Sequence, residues 1–386
     1  MSRLAMSRLT RLFRVPERKA SRVASLIALE PGRPRWTPRD YGALAREGYA
    51  ANPVVHRCVR LIAEAAASVL WRVYVGGREV PDHALAQLLA RPNPRQSGQG
   101  FRETLHAFQL VAGNAYVESV AASGTVRELH LLRPDRIKVV PGPDGWPAAF
   151  DYTVNGTTLR LQQSEDGIAP VLHLALFHPL DDHYGLAPAE AAAKAIDIHN
   201  AALGWNKALL DNAARPSGAL VCAGEASLSE SQFERLKAEL ETGFSGPMNA
   251  GRPLLLEGGL SWQPLSLSPK DMDFLEAKNA AARDIALAFG VPPMLLGIPG
   301  DNTYSNYVEA NRAFWRACVV PLVTRTAESL SAWLQPAFDD APRIVVDLDE
   351  VPALASDREA LWRRIGSATF LSDDEKREAL GWEKRG

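Results

Sequence analysis

Cysteine is scarce in this 386-residue chain. Cys58, Cys222 and Cys318 are odd in number, far apart and never in CxxC spacing. That pattern argues against a disulfide framework or a zinc finger and fits buried thiols in a reducing compartment. No run of about 18 apolar residues occurs, so no segment is expected to span a membrane as a helix. A GxSxG elbow, a GxxxxGK[ST] phosphate loop, a GxGxxG turn behind a strand and a Cys–His nucleophile signature are all missing. Acyl transfer by a nucleophile elbow, a phosphate-loop motor and dinucleotide chemistry therefore lose their sequence grounds. Internal repeats are lacking too, and 28 glycines and 27 prolines stay well below low-complexity levels.

What is present is an ordinary globular composition, 46% hydrophobic and 23% charged, long enough for two or three packed units. Charge is unevenly spread. Residues 1–22 carry Arg3, Arg8, Arg11, Arg14, Arg18, Lys19 and Arg22 against Glu17 alone, a local +6; with a whole-chain value of −2, the remainder carries −8. Gripping DNA by counterion release needs clustered Lys and Arg, and outside the first 22 residues there is no such cluster. The basic arm mixes Leu4, Leu9, Leu12 and Phe13 with its arginines. It reads as an extended, partly disordered arm that touches neighbouring subunits, with an amphipathic surface helix or a transit-like leader as the other readings.

The chain is organised around residues 268–336. A helix is expected from Ser268 to Gly290, with Ser268 as N-cap, Pro269 at the first helical position, Asp271 in the first turn and Gly290 at the end. Val291-Pro292-Pro293 then forbids continuation, because two consecutive residues lack the amide donor and clash with the preceding turn. An apolar plug, Met294-Leu295-Leu296, leads to a polar loop at Gly297–Tyr307 whose only charge is Asp301. A second long helical pattern runs from Val308 to Leu334 and stops at Pro336. Between Arg283 and Arg312 there is no Lys or Arg. On pattern alone this is a helical hairpin with a surface loop.

Other elements emerge from periodicity and punctuation. Val54–Ala67 reads as a helix running into a strand at Val69–Val75. HALAQLLARPNP is a short helix closed by Pro92 and Pro94, and a helix then a strand meet at Gly113-Asn114. Strands are expected at Val126–Leu132, Ile137–Val140, Ala149–Val154 and Thr158–Leu161, giving an α+β layout of helices on mostly antiparallel strands. An alanine-rich helix is expected at Ala187–Ala214, roughly 40 Å long at 1.5 Å per residue. A strand at Gly218–Cys222, a helix capped by Ser229 (Glu230–Phe244) and strands at Pro253–Glu257 and Ser261–Leu265 form a compact unit. Arg343–Val351 reads as a returning strand, and Ser372 with Glu375 as a capping box on a last short helix.

The densest group of potential ligands is His173, His178, Asp181, Asp182 and His183. Imidazoles beside carboxylates are metal-ligand chemistry, but the spacing is neither the i,i+4 pair of HExxH nor a finger, and Pro179 makes the segment a turn. The favoured reading is a hydrogen-bonded turn and no metal; the rival is a metal-dependent hydrolase using His173, His178, Asp182 and His183. Asp347, Asp349 and Glu350 lack a partner histidine. Arg57, His106 and Arg136 read as solvated or locally paired.

FLEAKNAAARDIALAFGVPPMLLG followed by TYSNYVEANRAFWRACVVPLV closely resembles the signature of tailed-phage portal proteins of the siphovirus and gene-transfer-agent type; GNAYVE, LHLLRPDRIKVV and VLHL add to it. The resemblance covers roughly residues 50–380. It implies a portal fold: a basic arm (1–50) that touches neighbouring subunits or capsid, an α/β wing (51–186), a first stem helix (187–214), a small α/β clip (215–267), a second stem helix (268–290), a tunnel loop (291–307), a long helix with a returning wing strand (308–352) and a short helical crown (353–386). It implies a ring, a dodecamer, at one capsid vertex through which double-stranded DNA enters and leaves, with no catalysis and no cofactor. It further implies docking to the terminase large subunit, a head-tail adaptor and the major capsid protein. Tunnel-loop residues expected to meet DNA are Asn302, Thr303, Tyr304, Ser305, Asn306 and Tyr307, and Lys270, Lys278 and Arg283 are the stem cations expected to face the channel. The chain is short and its crown small, which points to the gene-transfer-agent branch or a related prophage. A ring-forming adaptor that never meets DNA is the remaining rival.

Overall fold

A computed structural model describes residues 36–122, 125–163, 168–211, 218–222, 229, 231–232, 234–235, 238, 260–264, 274–299 and 304–380. The chain divides into Met1–Trp36 and Thr37–Gly386, and every described helix and strand lies in the second unit.

Helix α1 spans Pro53–Ser68. The Asn52 side-chain oxygen caps it, accepting from the Val54 and Val55 amides at 3.0 and 3.1 Å, while Pro53 supplies a preset φ where no donor is needed. Val55, Cys58, Val59, Ile62, Ala63, Ala66 and Ala67 fall on one side at helical spacing and are fully buried. The chain passes straight into β1 (Leu70–Val75), the middle strand of a three-stranded antiparallel sheet with β2 (Arg78–Glu79) on one flank. Its other neighbour is the strand Arg343–Asp347, some 270 residues away, in a register that sets Val73 opposite Ile344. Arg72 fixes that register, its Nε 2.6 Å from Asp347 and its Nη1 2.9 Å from Glu79.

After a short helix α2 (Ala84–Ala90), helix α3 (Gly98–Ala112) starts on the Ser97 hydroxyl and ends at Gly113 in the left-handed region, φ 73°. Strands β3 (Asn114–Ala122), β4 (Thr125–Leu132) and β8 (Val171–Ala175) form one antiparallel sheet. Strands β5 (Ile137–Pro141), β6 (Pro147–Val154) and β7 (Thr157–Gln162) form another. The four middle strands expected from sequence sit within two residues of their observed bounds.

Helix α4 (Ala193–Asp211) comes after a separate turn of helix at Pro188–Ala191. The expected unbroken rod from Ala187 is thus interrupted at Ala192, and residues 212–214 lie outside the described residues. No proline or glycine accounts for the break. Its start packs against the end of α5 (Phe274–Ala288), so the two run antiparallel, with Ala187, Ala189, Ile196, Ile285 and Phe289 in one core cluster. The expected α5 start at Ser268 and the strand at Pro253–Glu257 lie outside the described residues. Strands β9 (Gly218–Cys222) and β10 (Leu260–Pro264) pair antiparallel, and Ser229 and Gln232 cap each other reciprocally.

The long helical pattern begins earlier than expected. Helix α6 is Tyr304–Phe314, because Tyr304–Tyr307 holds neither proline nor glycine and nothing stops the helix from extending back through it. It continues through a π-helical turn, Trp315–Val319, into α7 (Val320–Leu334). The π turn ends two residues before Pro321, whose missing amide and ring disturb the regular ladder. One face of α7, with Val323, Ala327, Leu330 and Leu334, is buried under the sheet built on β1 and β11 (Arg343–Asp347). Helices α8 (Ala355–Gly366) and α9 (Asp373–Ala379) finish the described chain, with Ser372 and Glu375 forming the expected capping box at 2.7 and 3.3 Å.

Backbones cross closely at Gly113 and Gly185. A Cβ on Gly113 would lie 2.1 Å from the Gly185 carbonyl, and a Cβ on Gly185 would lie 2.2 Å from the Gly113 carbonyl. Neither wall is a side chain that can swing away. Gly185→Ala is expected to lower stability by about 1–3 kcal/mol through overpacking, with Gly113→Ala losing more because its φ is positive. Chemical denaturation of the purified variants measures both.

Candidate functional site

The junction after α5 is built by local backbone rules. Val291 donates to the Ala286 carbonyl at 2.9 Å and Gly290 to Leu287 at 3.0 Å, with Gly290 at φ 67°. These are the two bonds of a Schellman ending, which satisfies carbonyls the helix leaves open. Pro292 is extended, Pro293–Leu296 makes a single 3-10 turn, and Gly297 turns left-handed at φ 71°. Ile298 then plugs back between Ala282 and Ala286 of α5. The apolar plug expected at Met294–Leu296 is therefore only half-buried, and the better plug is Ile298.

Of the nine residues singled out as channel-facing, the structure brings a few to this place. Asn302, Thr303 and Lys270 lie outside the described residues. Tyr304 and Ser305 open α6, and Asn306 and Tyr307 are exposed in its first turns. Arg283 is exposed, but its guanidinium donates to the Pro299 carbonyl, tying α5 to the loop backbone. Lys278 is half-buried near the α4–α5 contact, close enough to His199 for its charge to disfavour protonation there. Burial disfavours it more. Asn52 uses its oxygen on α1, so its amide nitrogen is the donor to His199 Nδ1 at 3.1 Å and to Asn200 at 2.8 Å. His199 is accordingly neutral and protonated on Nε2. Sequence reasoning missed this knot; its only signal was an asparagine standing before a proline.

Beyond the loop, Arg312 pairs with Glu309 at 3.3 Å, and Arg316 pairs with Asp357 of α8. The cations on both sides of the 284–311 gap thus each have a partner inside the chain. Exposed pairs of this kind contribute little to stability, but they fix where positive charge sits.

The His/Asp cluster is a turn. His173 Nε2 reaches Asn114 Oδ1 at 2.9 Å and its ring stacks on Tyr116 with centroids 4.3 Å apart. The same Asn114 oxygen accepts from the Gly185 amide at 2.8 Å. His178 Nδ1 accepts from the Leu180 amide, and Asp181 accepts from the His183 and Tyr184 amides. Among the described residues no three His, Cys, Asp or Glu side chains are placed to hold a metal ion. The hydrolase reading loses its site. Burial pushes the Cys58 thiol up to about 12 and the Cys318 thiol up to about 11, so neither of these two is a ready thiolate nucleophile. Among the described residues no helix is long and apolar enough to cross a membrane.

The family model for phage portal protein matches residues 53–381. The chain belongs to the phage portal protein family. A protein of Rickettsia bellii (strain RML369-C), described only as uncharacterized, is 44% identical over 341 residues, 88% of each chain. The probable portal protein of Streptomyces phage phiC31 is 27% identical over 369 residues, covering 89% of this chain and 80% of that one. A chain in the neck of a native GTA particle, resolved with C12 symmetry, is 52% identical and superposes with a TM-score of 0.70, covering 92% of this chain and 96% of its own. The mixed helix-and-sheet portal fold implied by the resemblance is the fold observed.

Two measurements test this geometry. Burial lowers His106 and His173 from 6.5 to about 4. Between those values the unfolded chain binds protons that the folded chain does not, so stability is full above the unfolded value and falls as pH drops toward 4. Each histidine contributes up to about 1.4 kcal/mol per pH unit. Replacing His106 with Met is expected to reduce that slope by up to about 1.4 kcal/mol per pH unit in urea titrations between pH 6.5 and 4. Arg283→Ala is expected to speed amide hydrogen exchange at Leu296–Ile298 while leaving Val55–Ile62 of α1 unchanged.

Proposed function

We propose that this chain is the subunit of a twelve-membered portal ring at one vertex of a phage-like or gene-transfer-agent particle, acting as conduit for double-stranded DNA. The observation that carries the reading is the 52% identity, over 92% of the chain, with a protein in a C12-symmetric GTA neck. A cyclic ring closes a head-to-tail interface that would otherwise grow into a filament.

On this reading 51–186 with the returning strand is the wing, α4 and α5 are the stem, 215–267 is the clip that meets the terminase large subunit and then the head-tail adaptor, and 353–386 is the crown. The major capsid protein surrounds the ring. The 297–307 stretch is the tunnel loop, with Asn302 to Tyr307 making brief contacts to phosphate and sugar. Lys270, Lys278 and Arg283 are the stem cations for the channel wall, Arg283 while tied to the Pro299 carbonyl. The role is structural, without a catalytic centre or cofactor. An adaptor ring that never meets DNA has no observation in its favour.

Negative-stain imaging of the purified protein is the first test, and a hollow particle with twelve-fold symmetry is expected. A solution monomer under all assembly conditions would sink the proposal. Deleting residues 300–303 is expected to leave rings intact and to abolish DNA packaging; undiminished packaging would remove the tunnel role and keep the ring.

A further inference from the structure

An apolar groove of about 470 Å³ opens beside the Schellman ending, lined by Leu287, Val291, Pro292, Ala313, Phe314 and Ala317 among others. An enclosed cavity of ~150 Å³ accommodates a benzene, so this groove has room for a phenyl and a leucine side chain together. Leu287 stands on its rim 78% exposed. Elsewhere on the same chain two large apolar side chains project from one turn: Phe177, 82% exposed, and Leu180, 91% exposed. That turn is stiff. His178 Nδ1 accepts the Leu180 amide, Asp181 Oδ1 accepts the Tyr184 amide, and the Tyr184 hydroxyl accepts from the Val139 amide at 3.0 Å. A rigid turn presenting two naked apolar residues gains free energy only when something covers them.

We propose that the Phe177–Leu180 turn of one protomer seats in the 287–317 groove of its neighbour, forming the apolar anchor of the ring interface. The proposal rests on the twelve-membered ring reading. Contacting patches in a cyclic ring are related by pure rotation, so both must lie at one level along the axis. They do lie at one end of the α4–α5 pair. His178, Asp181 and Tyr184 of the turn line one cleft with Glu190, just before the first rod, and the groove surrounds Gly290–Pro292, where the second ends; Ala187 and Val291 share one core cluster. The two features share no lining residue, as a head-to-tail contact requires. Asp181 and Asp182 flank the projection and Arg283 edges the groove, with Asp284 partly offsetting it. Buried aromatic and aliphatic anchors surrounded by a polar rim are where interface energy concentrates.

The test uses the full chain carrying Leu180→Cys and Ala313→Cys, oxidised by air with copper–phenanthroline and run on non-reducing gels beside each single variant. Expected is a ladder of covalent oligomers from the double variant, dimers from an equimolar mixture of the two singles, and only monomer from each single variant alone. Rings visible by imaging but without cross-linked species would overturn the anchor and leave the ring reading standing. A fast-migrating monomer, cross-linked within one chain, would also overturn it. Protein that never assembles would overturn both. Separately, Phe177→Asp with Leu180→Asp, both at exposed positions, is expected to reduce ring yield at least tenfold while the monomer unfolds at the wild-type midpoint; unchanged yield would count against the anchor.

Discussion

Everything at the candidate site hangs on how α5 ends. A helix leaves its last carbonyls open, and burying them without partners is costly. Here Gly290 and Val291 turn back to fill two of them, and only then do two prolines forbid further helix. The order matters. Prolines alone would stop the rod and leave its end frayed; the glycine in the left-handed region first closes it, and the prolines then aim the chain in one direction. Ile298 returning to Ala282 and Ala286, and Arg283 reaching Pro299, hold the loop's first half against the rod it came from.

A second constraint is that two buried asparagines each tie together elements far apart in the chain. Asn52 caps α1 with its oxygen and holds α4 through His199 and Asn200 with its nitrogen. Asn114 takes His173 and the Gly185 amide on its oxygen and gives its nitrogen to the Ala112 carbonyl at 2.7 Å. A side-chain amide can do this because it carries donor and acceptor on one planar group. Both residues are almost fully buried, so each unmet bond would cost about 1–3 kcal/mol. Such knots specify one arrangement of the elements that meet there.

These differences decide what could be read from sequence. Alternation and turn residues placed β4 to β7 closely, because each strand is bounded by glycine, proline or aspartate. Ser372 with Glu375, and Gly290 before two prolines, were legible because capping chemistry is local. The backward extension of α6 to Tyr304 was not, since polar residues permit helix and loop alike. Neither was the π turn, whose cause, Pro321, sits inside a pattern that otherwise reads as continuous helix. Arg283 looked like a free cation because charge is visible in a sequence and partners are not. The metal reading of the histidine turn failed for the same reason: His173 has Asn114 and Tyr116, residues roughly 60 positions upstream.

That distribution of charge bears on how a conduit differs from a DNA-binding protein. Affinity for the duplex scales with the number of phosphates neutralised, and each contact also steepens the dependence on salt. A protein that holds many phosphates holds DNA still. This chain commits Arg283, Arg312 and Arg316 to its own backbone and carboxylates and leaves 284–311 without a single Lys or Arg. The residues after position 22 are net negative, so the long-range field does not draw DNA in either. On the proposed role as a conduit, passage would depend on an external source of work, and the protein's contribution would be to offer little resistance. On that argument a lysine introduced at Asn306, on the exposed first turn of α6, would slow passage by adding an attraction; a neutral surface at this point is what letting a polyanion slide requires.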